Sequence, residues 1–209
     1  MTKKQRALEV IERLKKEYPD AACTLNYGEA WQLLVSVRLA AQCTDARVDL
    51  TTPKLYARFP DVASLAAADV KEVEEIVRPC GLGASKARDI VRCMQILHER
   101  YGDRVPDTME ELLALPGVGR KSANLVLGDV YGKPAIVTDT HCIRICNLLG
   151  LVADKDPARV EKALWQIIPP GEGNMLCHRF VLHGRAVCIA RRPRCEDCVL
   201  REVCKTGAK

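Results

Sequence analysis

Aromatic residues make up only 4% of this 209-residue chain, so it lacks the stacking platforms that hold single-stranded nucleic acids. No apolar run approaches the roughly 20 residues needed to cross a bilayer. Residues 1–18 begin Lys3-Lys4-Gln5-Arg6 but continue as an amphipathic helix, with Ala7, Val10, Ile11, Leu14 and Tyr18 on one stripe. That pattern is neither a signal peptide nor a membrane span. The expectation is a cytoplasmic monomer with no targeting signal and no membrane partner. Alternating runs of strand length are also missing, because Ala135-Ile136-Val137 is too short to count. With no tandem repeat or low-complexity tract, and 48% hydrophobic residues, the chain is predicted to be folded and all-α.

Periodicity supplies the helices. Short ones are predicted over 30–41 and 46–59, then over 69–78 with Val70, Val73, Ile76 and Val77. Residues 85–101 place Ile90, Met94, Leu97 and Tyr101 on one side, and Thr108-x-x-Glu111 has the form of a capping box for 109–114. Asp156-Pro157 reads as an N-cap and first-turn proline for 157–168, with Val160, Ala163, Leu164 and Ile167 as the stripe. A last helix, 174–187, runs into a cysteine-rich loop.

A large charge excess is absent too. The net charge is +5, but it is concentrated at Lys15-Lys16, Lys86-Arg88-Arg92, Arg185, and Arg191-Arg192 with Arg194. Such clusters suit a phosphate backbone or, equally, a solvated face; with so few aromatics, duplex is the better nucleic-acid partner.

Eleven cysteines without a secretory signal argue against a disulfide framework. Four of them, Cys188, Cys195, Cys198 and Cys204, form C-x6-C-x2-C-x5-C. Thiolates so spaced suit a [4Fe–4S] cluster, which needs one cysteine per corner iron. Structural zinc usually shows two C-x2-C knuckles and only one is present; zinc and unliganded thiols remain the alternatives. The other seven are scattered through helical patterns and read mostly as small core residues.

Leu115-Pro116-Gly117-Val118-Gly119 lies between two helical patterns. Paired glycines permit positive φ and leave backbone N–H groups uncovered, so the turn can press on a phosphate at the next helix's positive end. The alternative is two helices crossing closely. Ala123, Val126, Leu127 and Val130 then form the core stripe, and Lys121, two positions earlier, points about 200° away from it. A solvated lysine is the plain reading of that position.

These residues, with Asp139-Thr140-His141, Ala41-Gln42-Cys43-Thr44-Asp45 and the cysteine array, resemble the endonuclease III family of base-excision DNA glycosylases from about Leu14 to Cys204. The resemblance implies a two-lobed helical protein. A six-helix barrel module at 22–133 would carry the helix–hairpin–helix at about 109–131, and residues 1–21 with 134–209 would form the cluster lobe, cluster loop 188–204. It implies damaged double-stranded DNA as partner, one [4Fe–4S] cluster bound by the four cysteines, and excision of oxidised pyrimidines followed by β-elimination. Lys121 then resembles the nucleophile and Asp139 its carboxylate partner, though Asp139 by type is also a helix N-cap. Gln42 resembles the residue that fills the gap left by an extruded nucleotide, and Leu82 the wedge on the opposite strand. Gly117, Gly119 and His141 resemble DNA contacts, and Arg191, Arg192 and Arg194 would face phosphates. Ala40-Ala41 stands for a more usual Ser-Ala, which puts in doubt any polar contact made from position 40, and Gly83-Ala84 stands for a bulkier Tyr-Asn, which is expected to leave the wedge loop floppier or less intrusive.

Two rivals share this pattern. An adenine-mismatch glycosylase of the same fold needs a catalytic glutamate before the equivalent of Gln42, and Trp31 to Gln42 contains no acidic residue. A noncatalytic iron–sulfur DNA-binding module would need neither Lys121 nor Asp139; cleavage of an abasic duplex separates it from an enzyme.

Overall fold

A computed structural model describes residues 1–207. Helices run in the order α1 (Lys3–Glu17), α2 (Ala30–Ala40), α3 (Asp45–Arg58), α4 (Val62–Ala66), α5 (Val70–Val77), α6 (Gly83–Tyr101), α7 (Met109–Leu113), α8 (Arg120–Asp129), α9 (Thr140–Leu149), α10 (Pro157–Leu164) and α11 (Gly173–Ala186). No strand occurs among the described residues. The chain forms two compact units: Thr24–Tyr131, and Met1–Cys23 together with the chain from Gly132 onward.

The Thr24–Tyr131 unit is built around α6, which packs against α4, α5 and α2. Its Ile90, Met94 and Leu97 recur at helical spacing and are fully buried. Helix α4 has no counterpart in the periodicity, because five residues are too few to show it; Asp61 starts it by accepting from Ser64 N at 2.7 Å. Thr108 caps α7 by accepting from Glu111 N at 3.3 Å, but the reciprocal half of the capping box is missing. The Glu111 carboxylate instead accepts from the Thr108 hydroxyl at 2.6 Å.

In the other unit, α1 packs on α11 and on the turn Arg201–Val203. Thr2 and Gln5 close a reciprocal capping box, and Ala7, Val10, Ile11 and Leu14 are buried. Arg13 donates to Val199 O at 3.0 Å and pairs with Glu202 at 2.8 Å, so both apolar and polar contacts tie the amino terminus to the carboxyl-terminal segment. In α10 the buried stripe is Val160 and Leu164, with Ala163 exposed; the helix ends at Leu164 and the chain turns, so Ile168 is buried and Ile167 only half-buried. Of the seven cysteines outside the array, Cys80, Cys93, Cys142, Cys146 and Cys177 are buried and Cys23 and Cys43 half-buried. Burial pushes the Cys93 thiol up to about 12, and shared thiol hydrogen bonds with burial hold Cys142 and Cys177 well above the usual range. These are protonated packing groups.

Candidate functional site

The hairpin joins α7 to α8. Gly117 has φ +75°, and a Cβ there would lie 2.7 Å from Arg38 Cδ, so both backbone and packing demand glycine. Gly119 differs from expectation: its φ is −97°, which any residue adopts. It is the N-cap of α8, no side chain caps that end, and a Cβ would meet nothing within 4 Å. Uncapped N–H groups at an open helix start form an anion site by geometry and dipole. Lys121 follows in the first turn of α8, exposed and with no hydrogen bond or ion pair among the described residues. The next turns, Ala123 to Leu127, are buried and anchor the helix.

Asp139 is the N-cap of α9. Its Oδ1 accepts from Cys142 N at 2.7 Å, while Oδ2 has no partner among the described residues. One oxygen thus orients the carboxylate and the other is available to a reactant. His141, half-buried, packs against Gly184, where a Cβ would lie 2.3 Å from its Nδ1, and that nitrogen is 3.3 Å from the Arg144 guanidinium.

Gln42 and Leu82 share an unusual backbone. Both are left-handed, with φ of 57° and 52°, and both are exposed, Leu82 by 58%. Non-glycine residues in this region cost on the order of 1–2 kcal/mol each, and such outliers cluster where function holds them. Gly83 opens α6, and Leu82 O accepts from Lys86 N at 3.0 Å and from the Ser85 hydroxyl at 3.1 Å.

Lys86 is a second correction. It is fully buried, not part of a phosphate-facing run, and donates to Leu39 O and Cys80 O at 2.8 Å each. Burial pulls its ammonium below the ordinary lysine range. Nothing in its sequence neighbourhood signals this, because a lysine between Ser85 and Ala87 looks solvated.

Cys188, Cys195, Cys198 and Cys204 line one cavity of about 80 Å³, with Leu148 and Val187 among its apolar walls. No group of three or more His, Cys, Asp or Glu among the described residues could hold a single ion. Four thiols around one cavity supply the one cysteine per corner iron that a [4Fe–4S] cluster needs. Burial pushes the thiols of Cys188 and Cys198 up, so binding iron there displaces protons. Cys198 Sγ is 3.4 Å from His183 Nε2, and the His183 Nδ1 is 3.2 Å from the Tyr18 hydroxyl. Burial lowers His183 to about 4, leaving the ring neutral near pH 7. Between the first two cysteines, Arg191 and Arg192 are exposed without partners among the described residues, whereas Arg194 donates to Ala186 O and lies 4.0 Å from Asp197.

Comparison with known proteins first defines the class. Residues 35–170 match the family described as HhH-GPD superfamily base excision DNA repair protein, and residues 188–204 match the iron-sulfur binding domain of endonuclease III. Endonuclease III of Synechocystis sp. is 45% identical, covering 99% of this chain and 94% of that protein. The Escherichia coli K12 protein of that name is 38% identical, covering 99% and 98%. A solved structure of a non-covalent endonuclease III–DNA complex matches with a TM-score of 0.93 at 38% identity, covering 100% of this chain and 98% of that one. A thermostable thymine-DNA glycosylase, 18% identical with a TM-score of 0.86, shares the fold. The chain belongs to the endonuclease III family. It is accordingly a base-excision DNA glycosylase and abasic-site lyase, with one [4Fe–4S] cluster.

Proposed function

We propose that this enzyme excises oxidised pyrimidines from duplex DNA, with Lys121 as nucleophile, Asp139 as its carboxylate partner and the cluster held by Cys188, Cys195, Cys198 and Cys204. The reading is supported by the state of two helix starts, one in each unit. Lys121 stands exposed in the first turn after an uncapped hairpin, and Asp139 is oriented by Cys142 N with one oxygen left over. The Lys121 amine attacks C1′, forming C–N as the glycosidic bond breaks and its electron pair leaves with the base, which takes up a proton from water. The Asp139 carboxylate stabilises the positive charge that grows on the sugar. Ring opening gives a protonated imine. Loss of a C2′ proton then expels the 3′ phosphate, and water releases Lys121. Cys188, Cys195, Cys198 and Cys204 would hold the cluster, which would pin both ends of the segment that offers the exposed Arg191 and Arg192 to phosphates. Gly117, Gly119 and His141 serve as further DNA contacts, and Gln42 and Leu82 replace the stacking and pairing lost when a nucleotide is extruded.

Borohydride added during turnover on an oxidised-pyrimidine duplex is expected to trap a covalent adduct that peptide mapping places on Lys121. Lys121→Gln should abolish trapping and retain DNA affinity. Trapping at the original rate in that variant would assign the nucleophile to another amine.

A further inference from the structure

One buried side chain joins the two strained segments. Gln42 follows the end of α2 in a turn closed by Cys43 N donating to Ala40 O at 3.1 Å. Leu82 follows the Arg78–Cys80 turn and leads into α6. The last carbonyls of a helix lack intrahelical donors, and the Leu39 carbonyl of α2 finds its donor in the Lys86 ammonium at 2.8 Å. The same ammonium reaches Cys80 O, two residues before Leu82, also at 2.8 Å. The backbone N–H of Lys86 bonds Leu82 O itself at 3.0 Å. A single residue therefore grips the chain two residues before Leu82, at Leu82 itself through its backbone, and three residues before Gln42.

The grip is suited to positioning rather than to chemistry. Lys86 has 0% exposure, so it touches no substrate. A buried ammonium lacking its carbonyl partners is costly, and so are two buried carbonyls lacking a donor. The two segments are consequently held at a fixed separation. Arg38, the residue before Leu39 in the last turn of α2, reinforces the arrangement by pairing with Asp89 at 2.7 Å and reaching Ser85 Oγ, whose hydroxyl donates to Leu82 O. Left-handed backbone at a glutamine and a leucine relaxes unless the surroundings over-determine it. Lys86 provides that determination at both.

We propose that Lys86 is a positioning residue for base extrusion: its ammonium locks the Gln42 and Leu82 segments together, so the gap-filling residue and the wedge enter duplex DNA as one preset pair. This rests on the reading of Gln42 and Leu82 as the intercalating residues. It requires that loss of the clamp slow extrusion of a paired lesion while sparing chemistry at a site that no longer has a base to extrude.

The test uses the full-length, iron-loaded enzyme and a duplex with one thymine glycol opposite adenine and 2-aminopurine beside the lesion, whose fluorescence rises on unstacking. A second duplex carries a preformed abasic site. Lys86→Met, of similar length but without donors, is expected to slow unstacking at least tenfold and to leave abasic-site cleavage within threefold. Lys86→Gln, which retains a donor group, should lose less. If Lys86→Met does not yield folded, iron-loaded protein, Lys86→Gln is read instead, with a threefold to tenfold loss expected on the paired lesion alone. Equal losses on the two duplexes, or none on either, in whichever folded variant is read would overturn the clamp. Gln42→Ala and Leu82→Ala are run in parallel. Should neither slow unstacking, the reading of those two residues fails whatever Lys86 does; should either slow it while the folded Lys86 variant does not, only the clamp fails.

Discussion

Gly117 and Gly119 stand two residues apart and are glycine for different reasons, so alanine should separate them. At Gly117 the left-handed backbone alone costs an alanine about 1–2 kcal/mol, and its Cβ must displace the Arg38 side chain. Gly117→Ala should therefore lower the thermal midpoint clearly. At Gly119 neither backbone nor neighbours object, so Gly119→Ala should cost only the difference between glycine and alanine as an N-cap, about 1 kcal/mol or less. Its methyl would instead intrude where a phosphate meets the start of α8, and affinity for duplex should fall. Calorimetry and binding titrations on both variants check this, and unchanged affinity in Gly119→Ala would remove that residue from the interface. Asp139 separates in the same manner. Asparagine is as good an N-cap as aspartate, so Asp139→Asn should retain the bond from Cys142 N and the stability while slowing base release. Asp139→Ala should lose base release and about 1 kcal/mol of stability as well. Loss of stability in the asparagine variant would show that the charge, rather than the cap, supports α9.

At the scale of elements, the cysteine loop divides its arginines. Arg191 and Arg192 are exposed and unpartnered among the described residues, while Arg194 is turned back onto Ala186 O. Arg191→Ala or Arg192→Ala should each reduce the salt dependence of duplex binding by about one unit of slope, equally for damaged and undamaged DNA. Arg194→Ala should change the slope less and loosen the loop. An unchanged slope in all three would return the segment to an ordinary solvated face. The helices themselves were largely legible, because their apolar stripes repeat at 3.6 residues: Ile90, Met94 and Leu97 define α6 in either view. Helix α4 was not, being too short for a period, and the end of α10 was overshot because Ile167 extends the stripe by spacing although the chain has turned. The candidate site was proposed from residue types and spacings and from family resemblance. What sequence did not reveal was conformation and burial. Left-handed φ at Gln42 and Leu82 has no glycine to announce it, and Lys86 looks like a surface charge until the carbonyls of Leu39 and Cys80 are brought to it.

At the scale of the molecule, the unit that carries the cluster is closed by the chain's own amino terminus. Helix α1 supplies no cysteine, yet it covers α11 and the Arg201–Val203 turn that precedes Cys204. Its Val10, Ile11 and Leu14 are buried, and Arg13 donates to Val199 O and pairs with Glu202. From the Cys188–Cys204 spacing, anaerobically purified protein should contain close to four irons per chain, and stoichiometric zinc would contradict the cluster. Because a cluster is retained only while its ligands stay converged, loosening α1 should release iron without touching a ligand. Leu14 is fully buried, and a Leu→Ala change at such a site costs about 2–5 kcal/mol. Leu14→Ala should accordingly lower the temperature at which the iron–sulfur absorbance is lost. Leu113→Ala, at a leucine that is 42% exposed in the other unit, should leave that temperature nearly unchanged. If the Leu14 variant unfolds by circular dichroism at a lower temperature while its absorbance persists to the original one, α1 does not hold the cluster loop, and the four cysteines keep their cluster without it.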